Sequence, residues 1–480
     1  MKAEEIYLLF CLAVKYEGDK KFTRKTSEIA KDFGVTQNTV SALLSTLKAR
    51  GSILAEEVYI LKGRGQYCYT LTACLLKEHK LMSEIISTQN PVILRLLKNN
   101  LFELIEDNQL EKNTDDSNPK RSPFRASNRL FLILLLLHSD DLGVVKELSS
   151  TLIRKMMGGI SIERFKSQLS TLQKFGLIKR HVSGVTGKEL FGRTKGSYYL
   201  NIEHPYLQES FSSVSLLSLD FNGTIHPFNE STEVQSLFDA YRPVWDVKEQ
   251  KINTRLLEQY RWPSVISDTM KSFPTKLVIH FFRNKALHDQ MHQWVYDVAS
   301  ELIQHPCKAL DEVFINELSD ELVGLLSLDK SAPKARQDSI LKSQQMTLNV
   351  NDKIEPSQFL SDVLSFDVNG KDGALLYWQH VALTRLILDL GLDVALRYKR
   401  LLKLSRLDVS EVNRCVIVPM PTQGRFCFSH QIQFLSKESF KAKVNAEVDA
   451  GSGSQVNYWL TNELTGEKER IDVPLVFTEK

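Results

Sequence analysis

The sequence predicts an α+β chain of several domains, in which a basic half built on a repeated helix–helix–hairpin pattern precedes a mixed α+β half. Three observations carry this expectation. The stretch KTSEIAKDFGVTQNTVSALLSTLKARGSI (Lys25–Ile53) reads as two short helices joined by a tight turn and stopped by a glycine. A related stretch follows later, Thr36 aligning with Ser161 at an offset of 125. The net charge of +3 is unevenly placed, +9 over residues 1–207 and −6 over the rest. A basic half joined to a mildly acidic one separates a polyanion-binding part from a second part.

At 480 residues the chain is too long for one core, and roughly two to four domains are expected. With 42 % apolar and 25 % charged residues it falls in the ordinary globular range. The apolar run FLILLLL (Phe131–Leu137) is far shorter than the about 20 residues a bilayer needs, so no membrane is expected. The opening MKAEEIYLLFCLAVKYEGDK carries Glu4 and Glu5 and no small-residue cleavage site, so it reads as a first helix and not a signal peptide. Six cysteines (Cys11, Cys68, Cys74, Cys307, Cys415, Cys427) show no Cys-x-x-Cys spacing. Reduced thiols in a cytoplasmic protein fit that pattern.

In the first repeat, Thr26 or Ser27 can cap a helix carrying Ile29 and Ala30. Phe33-Gly34-Val35 turns the chain, and Thr36 is a good N-cap for the next helix. Val40, Leu43 or Leu44, and Leu47 share one face of that helix, and Gly51 stops it. A β-like run Val58–Leu61, a turn Lys62–Gly65 and a second run Gln66–Leu71 complete a hairpin with a basic tip. In the second repeat Leu169-Ser170-Thr171-Leu172 matches Leu44-Ser45-Thr46-Leu47, Phe165 matches Val40, and Gly176 matches Gly51. Its hairpin loop, Ser183–Gly196, is longer. The helix before it, Asn128–His138, is apolar all round and therefore expected to be buried.

The motifs SEIAKDFGVTQNTVSALLSTLKARGSI and LKGRGQYCYTL make residues 2–72 resemble the winged helix-turn-helix superfamily in its regulator-type form. The repeat extends that resemblance to a tandem: winged helix domain 1 over residues 1–75, and domain 2 over 127–207. Between them, Leu71–Ile86 and Pro91–Ile105 read as helices, and Asp107–Pro119 as a polar linker, together 76–126. Helix pairs of this kind form a homodimer seam in similar regulators or pack within one chain, and both remain open.

The resemblance implies double-stranded DNA as partner. In the first unit, Thr36, Gln37, Asn38, Thr39 and Ser41 stand where base edges are read, and Gln and Asn suit adenine. Lys48 and Arg50, with Lys62 and Arg64 in the wing, suit phosphates. The second unit is a poorer reader. Ile162 and Glu163 precede Arg164 and Lys166, and its wing carries Lys188, Arg193 and Lys195.

Residues 208–480 read as an α+β region of one or two subdomains and resemble no family. Ser210–Phe221 suggests a strand or linker strand, 275–282 a strand, and Lys285–Ile303 an amphipathic helix. Residues 373–404 form a helical stretch with a break expected near Gly391. Short strands follow from Cys415. His288 and His292 lie four residues apart and could share a metal, but Asp289 replaces the glutamate of a zinc-hydrolase pattern. We read them as surface histidines and expect no metal and no cofactor. The basic run Arg397, Lys399, Arg400, Lys403 and Arg406 reads as a solvated helix end. No phosphate loop or nucleophile elbow is present, so enzyme chemistry has no motif behind it.

These expectations describe a cytoplasmic, bacterial, sequence-specific DNA-binding protein. The leading function is transcription regulation, with the C-terminal region sensing a small molecule or binding a protein partner. One rival is a plasmid-type replication initiator, similar in carrying two winged helices in tandem. The other is an effector enzyme controlled by them.

Overall fold

The computed structural model describes residues 1–16, 21–58, 66–72, 84–85, 87–98, 124–146, 148–185, 194–222, 245–246, 251–252, 285–304, most of 383–402, 414–420, 428–435, 441–448, 456–462 and 468–473. The chain is a mixture of helices and small sheets and divides into two compact units. The first holds residues 1–181 and 197–212, the second 182–196 and 213–480. The expected linker 107–119, the expected strand 275–282 and Arg397, Arg400, Lys403 and Arg406 lie outside the described residues.

The first unit repeats one pattern twice. Helix α1 (Ala3–Lys15), strand β1 (Phe22–Thr23), helices α2 (Thr26–Phe33) and α3 (Gln37–Ala49), then strands β2 (Ile53–Val58) and β3 (Gln66–Leu71) form a sheet of order β1-β3-β2. Helix α4 (Pro91–Leu97) follows, its amides at Val92 and Ile93 accepted by the Asn90 side chain at 3.0 and 3.2 Å. Helix α5 (Ala126–Leu137), β4 (Val144–Val145), α6 (Ser150–Met156), α7 (Ile162–Lys174), β5 (Ile178–Val182) and β6 (Ser197–Leu200) then give the order β4-β6-β5.

The helices α3 and α7 are capped and closed alike. Thr36 accepts from the Thr39 amide at 3.2 Å, and Ser161 from the Arg164 amide at 3.2 Å. At the other end Gly51 (φ 67°) and Gly176 (φ 68°) take the left-handed conformation. The following amides, Ser52 and Leu177, return to the carbonyls of Leu47 and Leu172. This closure delivers each chain straight into a strand, so β2 begins at Ile53 and not at the expected Val58. A second correction concerns α2. Its first helical residue is Thr26, so Lys25 is the N-cap, and the Glu28 carboxylate reaches back to accept the Lys25 amide at 3.3 Å.

The run FLILLLL has two sides to fill. Every residue of α5 from Ala126 to Leu136 is buried. Phe131 meets Phe165 and Tyr198 within its own repeat, at ring-centroid distances of 5.3 and 6.4 Å. Helix α5 also packs on α1, itself buried from Tyr7 to Ala13. The equivalent helices of the two repeats therefore share one apolar core. A polar chain threads it: Arg129 Nη1 donates to the Tyr7 hydroxyl at 3.4 Å, which donates to the Leu96 carbonyl at 2.8 Å. The α6–α7 turn closes over the start of α1. Gly158 (φ 79°) approaches it so closely that a Cβ there would strike the Met1 carbonyl oxygen.

In the second unit, strands β7 (Val214–Asn222), β10 (Arg414–Met420), β11 (Phe428–Leu435), β12 (Lys441–Val448), β13 (Val456–Asn462) and β14 (Lys468–Val473) form a sheet of order β10-β11-β7-β12-β13-β14. Only β7 and β12 run parallel in it. A separate ribbon pairs β8 (Trp245–Asp246) with β9 (Lys251–Ile252). Helix α8 (Lys285–Gln304) packs against the edge strand β10. Ser300 Oγ accepts the Ile417 amide at 3.0 Å, and Gln304 Nε2 donates to the Cys415 carbonyl at 3.2 Å. These bonds satisfy outward backbone groups that an open edge leaves unpaired. The described residues of 383–402 are helical, and Gly391 is one of them. The expected break is absent there. A Cβ at Gly391 would strike Val298, so this glycine lets the helix cross α8 closely.

Candidate nucleic-acid interface

Of the side chains singled out in the first repeat, Gln37, Asn38, Ser41, Lys48 and Arg50 gather on the exposed side of α3. Val40, Leu43, Leu44 and Leu47 face the core, leaving Gln37, Asn38, Ser41, Ala42, Ser45, Lys48 and Arg50 exposed. They are not equally available. Gln37 Nε2 donates to Thr26 Oγ1 at 3.0 Å, and the Thr36 and Thr39 hydroxyls lie 2.9 Å apart as part of the cap. Asn38 and Ser41 project without a described side-chain bond.

Charge around this face is thinner than a count of lysines suggests. Lys15 pairs with Asp32 at 2.9 Å, Lys21 with Glu56 at 3.1 Å, and Arg24 with Glu28 at 3.8 Å. The Glu56 hydrogen bond holds the Lys21 ammonium pKa above its ordinary value. Such exposed pairs add little stability, but they spend cations on carboxylates. Lys25, Lys48 and Arg50 remain exposed beside α3. The Lys48 ammonium lies 5.4 Å from the ring centre of Tyr67, which is 42 % exposed near the open end of β3. Lys62 and Arg64 lie outside the described residues.

Tyr67, Thr26 and Ala42 are the parts of this face that the sequence did not single out. Tyr67 falls on the same strand face as Tyr69 and Leu71, a pattern indistinguishable from core alternation. Only its place near the end of the hairpin puts it outside.

The second repeat presents a different surface. Arg164, expected to face DNA, is ion-paired with Glu4 of α1. Arg154 donates to the Ile160 carbonyl at 2.9 Å, and Lys179 is buried against Glu203 at 2.5 Å. Ile162 is 48 % exposed at the start of α7, and Lys166 is exposed one turn on. Glu163 bonds its own amide and Ser161, which lower its carboxyl pKa. Lys188 and Arg193 lie outside the described residues. Lys195 is exposed, in the segment 182–196 that belongs to the second unit. There its neighbour Thr194 comes within 3.5 Å of Gln290 on α8.

In the second unit, the His292 ring stacks near Tyr296 at 6.0 Å, half-buried and not a surface histidine. The His288 side chain lies outside the described residues. Among the described residues no three His, Cys, Asp or Glu side chains converge for a metal, and no helix is long and apolar enough to cross a membrane. The buried imidazole of His430 bridges two hydroxyls, Tyr296 on Nε2 at 2.9 Å and Tyr398 on Nδ1 at 2.5 Å. No protein-family model, curated protein or solved structure matches the chain.

Proposed function

We propose that both repeats are winged helices, that the first reads double-stranded DNA through α3, and that the second supports the first by holding α1. The observation that carries this is the composition of the exposed α3 face. Uncharged polar and small side chains from Gln37 to Ser45 are flanked by Lys25, Lys48 and Arg50. Base edges are read by such hydrogen-bonding groups while phosphates are met by cations. Helix–strand–helix–helix–hairpin order, found twice, with a third strand beside each hairpin, suits this class. The pairing of Arg164 with Glu4, and the apolar and acidic start of α7, favour a supporting role for the second repeat. Transcription regulation is the function that follows, with the second unit as its sensing or partner-binding part.

The test is binding of the full chain to a mixed-sequence duplex across a salt series. Affinity falls steeply as salt rises. Lys48→Ala and Arg50→Ala each lower the slope of log affinity against log salt by about 1, on every sequence. Arg164→Ala leaves the slope unchanged. Salt-independent binding, or a slope that responds to Arg164 and not to Lys48, refutes this assignment.

A further inference from the structure

Resting on that DNA-reading assignment, we infer that α3 selects A·T base pairs, with Asn38 reading an adenine and Ala42 meeting a thymine methyl. The face that would enter the major groove consists of Asn38, Ser41, Ala42 and Ser45, spaced at three and four residues and all exposed. It carries no arginine or lysine before Lys48, near the end of the helix, and α3 has no acidic residue at all. Guanine is most often recognised by a bidentate arginine or lysine on O6 and N7, and cytosine by a carboxylate on N4. Neither group is present on this face. Adenine offers N6 as donor and N7 as acceptor, and a carboxamide satisfies both together. Of the two carboxamides on α3, Gln37 already spends its Nε2 on Thr26. Asn38 keeps both its donor and its acceptor available, one turn ahead of Ala42.

The remaining side chains fit the same target. The alanine methyl at 42 suits the thymine C5 methyl, and the serines at 41 and 45 tolerate either partner base. All three are small, which lets the helix axis approach the base edges. The cations that supply affinity, Lys25, Lys48 and Arg50, sit at the margins of the face, where phosphates pass.

The experiment is selection of the full chain against a duplex library with a randomised core, using wild type and Asn38→Ala, with circular dichroism to show that the variant folds. The expected result is a motif holding two or more adjacent A·T pairs. In Asn38→Ala one adenine position loses roughly tenfold or more of its preference. A motif with G·C at those positions, or an unchanged motif in Asn38→Ala, overturns the inference. Retention of duplex with the expected salt slope but no motif overturns it too, while leaving the DNA-binding assignment standing. A chain that retains no duplex at any salt refutes both.

Discussion

His181 shows how one half-buried side chain contributes to the acid limb of stability. Its ring stacks on Tyr198 at 4.6 Å, and burial pushes its pKa down to about 4. The unfolded chain, with an ordinary histidine near 6.5, binds a proton between about pH 6.5 and pH 4 that the folded chain refuses. Stability from this group is therefore present above pH 6.5 and is lost as the pH falls through that window, by roughly 1–3 kcal/mol. Urea titrations of His181→Phe at pH 7.5 and 4.5 are expected to show a smaller loss between the two pH values than wild type. An equal loss places the acid sensitivity elsewhere. Individual polar roles were unevenly legible in the sequence. Thr36 announced itself as a cap because a cap bonds residues three positions away, and Ser161, aligned with it, proves to cap α7 in the same way. Arg164 did not announce its partner, because Glu4 is 160 residues distant. A simple count of basic residues likewise misses that Arg154 is engaged by the Ile160 carbonyl and Lys179 by Glu203.

At the scale of elements, α3 and α7 test whether a repeated motif carries repeated energetics. Each has a hydroxyl cap, a buried stripe and a left-handed glycine closing into a strand. Thr36→Ala and Ser161→Ala are each expected to cost about 1 kcal/mol in chemical denaturation. The double variant is expected to cost the sum, because the two caps share no bonded partner. A deviation beyond about 0.5 kcal/mol would show that the caps communicate. These elements were the most readable part of the chain. Periodicity, cap and stop agree in both repeats and at the same offset, and such agreement is what defines a helix. The start of β2 was misplaced because Leu54-Ala55-Glu56-Glu57 lacks β-branched residues and is a strand only through its pairing with β3. Gly391 was read as a break because sequence reports its flexibility but not the close passage of α8.

At the scale of the molecule, the two repeats of the first unit share one apolar core through α1 and α5. The apolar run of α5 was correctly expected to be buried, yet nothing in it names α1 as the second surface. A helix hydrophobic on all sides states how much must be covered and not by what. Leu134→Ala, in the middle of α5, is expected to cost about 2–5 kcal/mol. Hydrogen exchange should then show faster opening of α1 and α3 as well as α7, because the core they share is damaged. Exchange that quickens only in residues 126–200 would make the repeats independent. The face of α3 was legible as a set of residue types, while its division into engaged Gln37 and available Asn38 came only with the position of Thr26.

The row Tyr296–His430–Tyr398 has a consequence of its own. A neutral imidazole carries one N–H and one lone pair. Set between two hydroxyls, it accepts from one tyrosine and donates to the other. The choice of tautomer therefore orients all three groups together, and reversing one hydrogen bond requires reversing the other. The second unit thus holds a short hydrogen-bonded row with two polarities, one for each tautomer of His430.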